Sequence, residues 1–239
     1  MGIPHKFLNT DFGNGFNTNN AILTSTPYQP EILFIGTFNP LTNGDANPAD
    51  FFYGRNWFWP ILFNIFEHNR EVIIQSQRKY CPPHFNPTLL DIFKFMKTHK
   101  ITFADLIMKV FPETELDNID GNIITYDNET YNLINDNHLI QLNQFNEVMW
   151  STKYLIKYIE ANPTIKQVYF TRKTVNPFTA ELIQVQNALN QRGVTIKYLF
   201  TPSGQGLAGI PRNQELMDQW LESTRDGFDN LDEEWTNID

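Results

Sequence analysis

Residues 32–66 read ILFIGTFNPLTNGDANPADFFYGRNWFWPILFNIF. The run Glu31–Gly36 is short, continuously apolar and ended by glycine, as a strand buried on both faces is. A polar loop follows through Asn39-Pro40. Five aromatics (Phe51, Phe52, Tyr53, Trp57 and Phe58) then surround a single arginine, Arg55, and a single asparagine, Asn56. Asn56 is of the type that caps helices, and Pro60 is tolerable because it lies in the first turn of the helix that begins there.

Outward from this stretch, residues 88–98 show helical spacing through Leu89, Ile92, Phe93 and Met96, and Phe103–Val110 reads as a second strand. Apolar positions from Leu139 to Ile159 recur at three and four, which predicts one long helix stopped by Asn162-Pro163. Gln167–Thr171 is a third strand. Residues 177–191 form a helix with Pro near its start and Gly193 just past its end. Thr195–Phe200 is the fourth strand, and residues 211–221 a closing helix that again begins with Pro. Residues 1–30 carry no periodicity and read as a wrap around the domain. Residues 111–136 read as an Asp/Asn-rich excursion with a small hairpin, and residues 226–239 as a solvated or frayed acidic tail.

Strands separated by helices imply right-handed crossovers and a parallel sheet covered on both faces. The expectation is one α/β domain over residues 1–239, with three layers, α/β/α, around a central, mainly parallel four-stranded sheet. Ligands in such sheets bind at the carboxyl ends of the strands. The loops to inspect therefore follow Gly36, Val110, Thr171 and Thr201.

The chain has 239 residues, 41% of them hydrophobic and 14% aromatic, enough for one large core. Its single cysteine, Cys81, can build neither a disulfide framework nor a four-cysteine cluster. The five histidines lack ligand spacing, so no metal site is expected. No apolar run reaches the ~18 residues of a membrane span. A monomeric, soluble, cytoplasmic protein is the expectation. Of the net charge of −9, six carboxylates after Arg225 (Asp226, Asp229, Asp232, Glu233, Glu234 and Asp239) leave −3 for residues 1–225. A body that near neutrality is compatible with a polyanion bound at a local basic cleft.

Gly36-Thr37-Phe38-Asn39-Pro40 ends the first strand, and Thr201-Pro202-Ser203-Gly204-Gln205-Gly206-Leu207-Ala208-Gly209 ends the fourth. Each alone reads as a turn. The glycines of the second permit close backbone approach, but no Lys-Ser/Thr pair follows them, so it is not a Walker loop. In their order along the chain, "IGTFNP", "FFYGRNWFWPIL" and "FTPSGQGLAGIPRN" resemble the uracil-DNA glycosylase superfamily, closest to its mismatch-specific (G:T/U) and hypoxanthine-removing branches. There, a strand ends in a Gly-x-x-Pro or Gly-x-Asn-Pro loop. An aromatic-Ala/Gly-His-Pro-x-Asn-x-Phe-Trp stretch follows, and a Pro-Ser loop enters DNA. The middle strands "FADLIMKV" and "VYFTRKTVNPF" are also similar, and the likeness spans most of residues 31–222. Two features depart from the pattern. Gly54 runs directly into Arg55-Asn56 without the His-Pro pair, and the first loop has one residue more than Gly-x-Asn-Pro.

The resemblance implies an enzyme that flips a deaminated base, uracil or hypoxanthine, out of DNA and hydrolyses its N-glycosidic bond without a cofactor. It implies that Asn39 holds the attacking water, with Gly36, Thr37, Phe38, Phe52, Tyr53 and Asn56 around the base. Tyr53 is the stacking aromatic. Arg55, Arg172, Lys173 and Arg212 are expected at phosphates. Pro202, Ser203, Gly204, Gln205, Gly206 and Leu207 are expected against DNA, with Gln205 or Leu207 filling the gap left by the base. Asp105, inside a strand, is read as hydrogen-bonded to a neighbouring loop and not as catalytic. Plainer readings stand beside these: an aromatic mini-core under a long loop, and Asn56 as a helix cap only. The rival functions are a nucleic-acid or nucleobase binding module without turnover and a protein-interaction domain.

Overall fold

Every residue of Ile32–Gly36 is buried, as the apolar run requires. The computed structural model describes residues 2–41, 51–54, 56–67, 87–111, 136–173, 175–207, 212–223 and 225–236. Its strands are β1 (Ile3–Pro4), β2 (Asp11–Gly13), β3 (Phe16–Asn19), β4 (Ile22–Ser25), β5 (Ile32–Gly36), β6 (Ile101–Asp105), β7 (Ile107–Val110), β8 (Val148–Trp150), β9 (Gln167–Phe170) and β10 (Ile196–Tyr198). Its helices are α1 (Phe58–Glu67), α2 (Leu89–His99), α3 (Asp136–Gln144), α4 (Thr152–Ala161), α5 (Phe178–Asn190), α6 (Arg212–Glu222) and α7 (Glu233–Thr236). None of these helices is long and apolar enough to cross a membrane. Two compact units interleave along the chain. The first holds Met1–Asp45, Lys100–Lys166 and Thr174–Thr195; the second holds Ala46–His99, Gln167–Lys173 and Ile196–Asp239.

In the first unit β5 and β6 pair in parallel, from Ile32 opposite Ile101 to Gly36 opposite Asp105. Strands β4, β3 and β2 then continue antiparallel, giving the order β5-β6-β4-β3-β2. A second, antiparallel sheet has the order β1-β7-β8. The fold is thus mixed α/β, and its sheet is larger and more antiparallel than the four-stranded parallel sheet expected. Residues 1–30, expected to carry no regular structure, supply four of these strands. Each strand has two to four residues, too few to show a period in sequence. Their turns carry left-handed residues, Gly13, Asn14 and Gly15 in one and Asn20 and Ala21 in the next, as tight hairpins need.

Two further expectations are corrected. Phe103–Val110 is not one strand. It breaks at Leu106, whose N–H donates to Gly36 O while its carbonyl accepts from Ser151 N, so β6 and β7 enter different sheets. The single helix over Leu139–Ile159 is also two helices with β8 between them. Helix α3 ends where Asn146 turns left-handed (φ 59°) and Glu147 N donates back to Leu142 O. Phe145, one of the residues counted into the apolar stripe, is 51% exposed. The expected hairpin within 111–136 falls almost entirely outside the described residues.

In the second unit β9 and β10 are parallel. Helix α1 is buried from Phe58 to Ile65, all round, which places it in the core. Of the acidic tail, residues 226–236 are docked. Asp229 meets Tyr198 twice, donating its N–H to the carbonyl and accepting the Tyr198 N–H on its carboxylate, both at 2.7 Å. Leu231 N donates to Trp220 O, and the Trp235 ring lies against Tyr169 and Phe66. Charge dominates the tail's composition, but two buried apolar side chains, Leu231 and Trp235, anchor it.

Candidate functional site

In the first unit the loop after β5 is fastened through its backbone. Ile107 N donates to Thr37 O at 3.0 Å, Lys6 N to Asn39 O at 2.7 Å and Leu41 N to Pro4 O at 2.9 Å, and His5 forms a β-bridge with Pro40. Thr37, Phe38, Asn39 and Pro40 are all half-buried. The Asn39 side-chain amide makes no hydrogen bond to another described residue, so a fixed backbone carries an uncommitted amide. Next to this loop lies a pair of buried polar side chains. His5 is 2% exposed and Asp105 5%, and His5 Nε2 is 2.7 Å from Asp105 Oδ2. The Phe7 N–H donates to His5 Nδ1 at 2.9 Å, which assigns the ring proton to Nε2 and makes Nε2 the donor to Asp105. The Phe38 ring meets the imidazole edge-on, 6.0 Å between centroids.

In the second unit the aromatic segment divides. Phe51, Phe52, Trp57, Phe58 and Trp59 are at most 1% exposed and pack together, with Trp59 Nε1 donating to Phe52 O at 2.7 Å. These residues form the mini-core, and Phe52 belongs to it instead of lining a slot. Tyr53 alone of the five opening aromatics is half-buried. Its ring stacks on Phe58 at 4.2 Å and 11°, its hydroxyl lies 2.9 Å from Thr171 Oγ1, and its backbone is left-handed at φ 58°. Asn56 Oδ1 accepts the Phe58 N–H at 3.0 Å, so this side chain caps α1. Arg55 is outside the described residues.

The loop after β10 approaches the aromatic segment through Trp57 N, which donates to Pro202 O at 3.0 Å. Gly204 and Gly206 sit at φ 63° and 89°, where a Cβ would be strained. Ser203 Oγ accepts from Gln205 N. Gln205 and Gly206 are exposed, but Leu207 is 4% exposed and packed inward. Of the two residues proposed to fill the gap, Gln205 is therefore the one available. Arg172 is half-buried with Nε donating to Lys173 O; Lys173 is exposed, and Arg212 opens α6.

Sequence reading missed Arg225. One guanidinium nitrogen donates to Gly206 O at 3.1 Å, the other pairs with Glu215 at 2.7 Å, and the group lies 5.4 Å over the Phe200 ring. It clamps the glycine-rich loop from 19 residues away, a contact without local signature. His5 was equally invisible, an isolated histidine in an aperiodic segment. A cleft of about 250 Å³, lined by Phe63, Glu67, Asp91, Lys94, Phe95 and His99 among others, contains none of the expected site residues. Among the described residues no cluster of His, Cys, Asp or Glu is placed to hold a metal.

No protein-family model and no curated protein matches the chain. Among solved structures it is similar to the solution NMR structure of a "putative Uracil DNA glycosylase" from Methanosarcina acetivorans. The identity is 15% and the TM-score 0.41, over 80% of this chain and 89% of that one.

Proposed function

We propose that this protein is a DNA glycosylase that excises a deaminated base, uracil or hypoxanthine. The observation that carries the reading is Tyr53. A bulky aromatic in the left-handed region costs on the order of 1–3 kcal/mol, and such strain collects at functional sites. The ring is not hidden in the core in return. One face is backed by Phe58 and the hydroxyl is tethered by Thr171, a rigid platform against which a planar base can stack. Stacking contributes ~1–3 kcal/mol per base and offsets part of a flipping cost of a few kcal/mol.

The uncommitted Asn39 amide suits the second requirement, a positioned water. Its carbonyl oxygen accepts one water hydrogen and aims the lone pair at C1′ as the sugar develops oxocarbenium character. Gln205, exposed on a loop that Arg225 clamps at Gly206, fills the space vacated by the base. The absent His-Pro pair supports a second reading, a lesion-binding module without turnover.

Anisotropy titrations of a 5′-labelled duplex with and without one lesion test the platform. Tyr53→Ala is expected to lose about tenfold or more of the preference for lesion DNA, the equivalent of one stacked base. An unchanged preference would place the base elsewhere.

A further inference from the structure

We infer that Asp105 is the general base that takes the proton of the attacking water, and that His5 is its positioning residue; the inference rests on the glycosylase reading above. Asn39 can orient a water but cannot accept its proton, so the reaction needs a carboxylate or solvent at that step.

Asp105 stands where the loop begins. It ends β6 opposite Gly36, and the parallel pairing runs on past both strands through Leu106 N to Gly36 O (3.1 Å) and Ile107 N to Thr37 O (3.0 Å). The N-terminal segment ties the carboxylate to the rest of the loop. His5 Nε2 holds Asp105 Oδ2, Lys6 N holds the Asn39 carbonyl, and His5 bridges Pro40. One short piece of chain therefore fixes both the backbone that carries the proposed water-holding amide and a carboxylate.

The chemistry of the pair argues against a merely structural role. His5 is engaged at both ring nitrogens, Nδ1 accepting the Phe7 N–H and Nε2 lying 2.7 Å from Asp105 Oδ2, so the ring is held in one orientation against the carboxyl group. An amide at this position would accept the same hydrogen bond and is cheaper to bury than a carboxyl group. Only one oxygen is used by His5. Oδ1 accepts no hydrogen bond from another described residue, and the side chain keeps 7% exposure, which leaves it open to a water.

In the proposed step the water oxygen bonds to C1′ as the C1′–N bond breaks. The bonding pair leaves with the base. The water proton passes to Asp105 Oδ1 and then to solvent, and the departing base is protonated from solvent. His5 is the titratable side chain within ion-pair distance of Asp105 among the described residues.

The test is single-turnover excision with enzyme in excess, across pH, for wild type, Asp105→Asn, His5→Gln, His5→Ala and Asn39→Ala, with circular dichroism and lesion affinity recorded for each. Asp105→Asn, which can still accept from His5, is expected to fold and bind lesion DNA as wild type does. Its chemical step should fall about 100-fold or more. His5→Gln, which keeps a donor toward Asp105, should stay within about tenfold of wild type, with His5→Ala much slower. A wild-type rate in Asp105→Asn, with Asn39→Ala inactive, overturns this inference and leaves the glycosylase reading in place. No base release by wild type overturns both. Should Asp105→Asn not fold, Asp105→Ser decides: a folded variant slowed about 100-fold or more supports the inference, and a wild-type rate overturns it.

Discussion

Tyr53 shows what a local reading of sequence can and cannot reach. The expectation that Tyr53 stacks on a base came from the resemblance of the stretch around Tyr53-Gly54 to a known family, not from spacing or helix signals. That Phe51, Phe52, Trp57 and Phe58 turn inward was contained in the alternative of an aromatic mini-core, but only packing shows which of the five aromatics belong to it. The Tyr53 hydroxyl contact with Thr171 is a neutral hydrogen bond, so Tyr53→Phe should lower stability by about 1 kcal/mol, read as a shift in the urea midpoint at constant slope. His99 gives a second residue-level prediction. Its ring lies between Phe66 and Phe95, at 4.1 and 4.4 Å, and burial lowers its pKa from 6.5 to about 4. The unfolded chain takes the proton first as pH falls, so the stability favouring neutral His99 is intact above pH 6.5 and drains away between pH 6.5 and 4. Urea midpoints across that window should fall less in His99→Phe than in wild type; equal slopes would show that this histidine is not the group responsible.

At the level of elements, the strands with strong continuous apolar character, β5 and β9, were found in sequence, and so were the helices α2, α5 and α6 with clear spacing. The errors have a common cause. Beta pairing with distant strands overrode local periodicity, in β8, where an apolar stripe continued through a strand, and in β6–β7, where one apolar run serves two sheets. The glycine-rich loop after β10 depends on a similarly distant contact. Arg225→Ala removes the donor to Gly206 O and the partner of Glu215. It should raise protease sensitivity of residues 203–207 and weaken DNA binding while leaving the helical circular dichroism signal in place; unchanged proteolysis would show that the loop holds itself. Helix α7 carries the other element-scale prediction. Trp235 is 7% exposed and packs on Tyr169 and Phe66, so Trp235→Ala should cost about 3–5 kcal/mol. A loss below the error of chemical denaturation would mean that the tail contributes nothing to the second unit.

For the molecule as a whole, composition bounded the answer correctly in kind but not in detail. Mixed α/β character was visible in the alternation of apolar runs and helical spacing, whereas the antiparallel extension of the sheet was not, because its strands are too short to carry a pattern. The net charge of −9 is misleading by itself. Tail carboxylates are partly consumed inside the fold, with Asp229 on Tyr198 and Asp232 3.7 Å from Lys197, while Lys173 and Gln205 stay exposed. If the glycosylase proposal holds, DNA affinity should fall log-linearly with salt but with a shallow slope, corresponding to about two to four phosphate contacts; salt-independent binding would favour a protein-interaction role. The central claim is that this chain breaks an N-glycosidic bond through Asn39. Its most direct test is mass-spectrometric detection of free base after stoichiometric enzyme is mixed at low salt with oligonucleotides carrying one uracil or one hypoxanthine. Release of one of these bases by wild type and none by Asn39→Ala is the result expected; no release from any substrate by folded wild-type protein that still binds lesion DNA would contradict it.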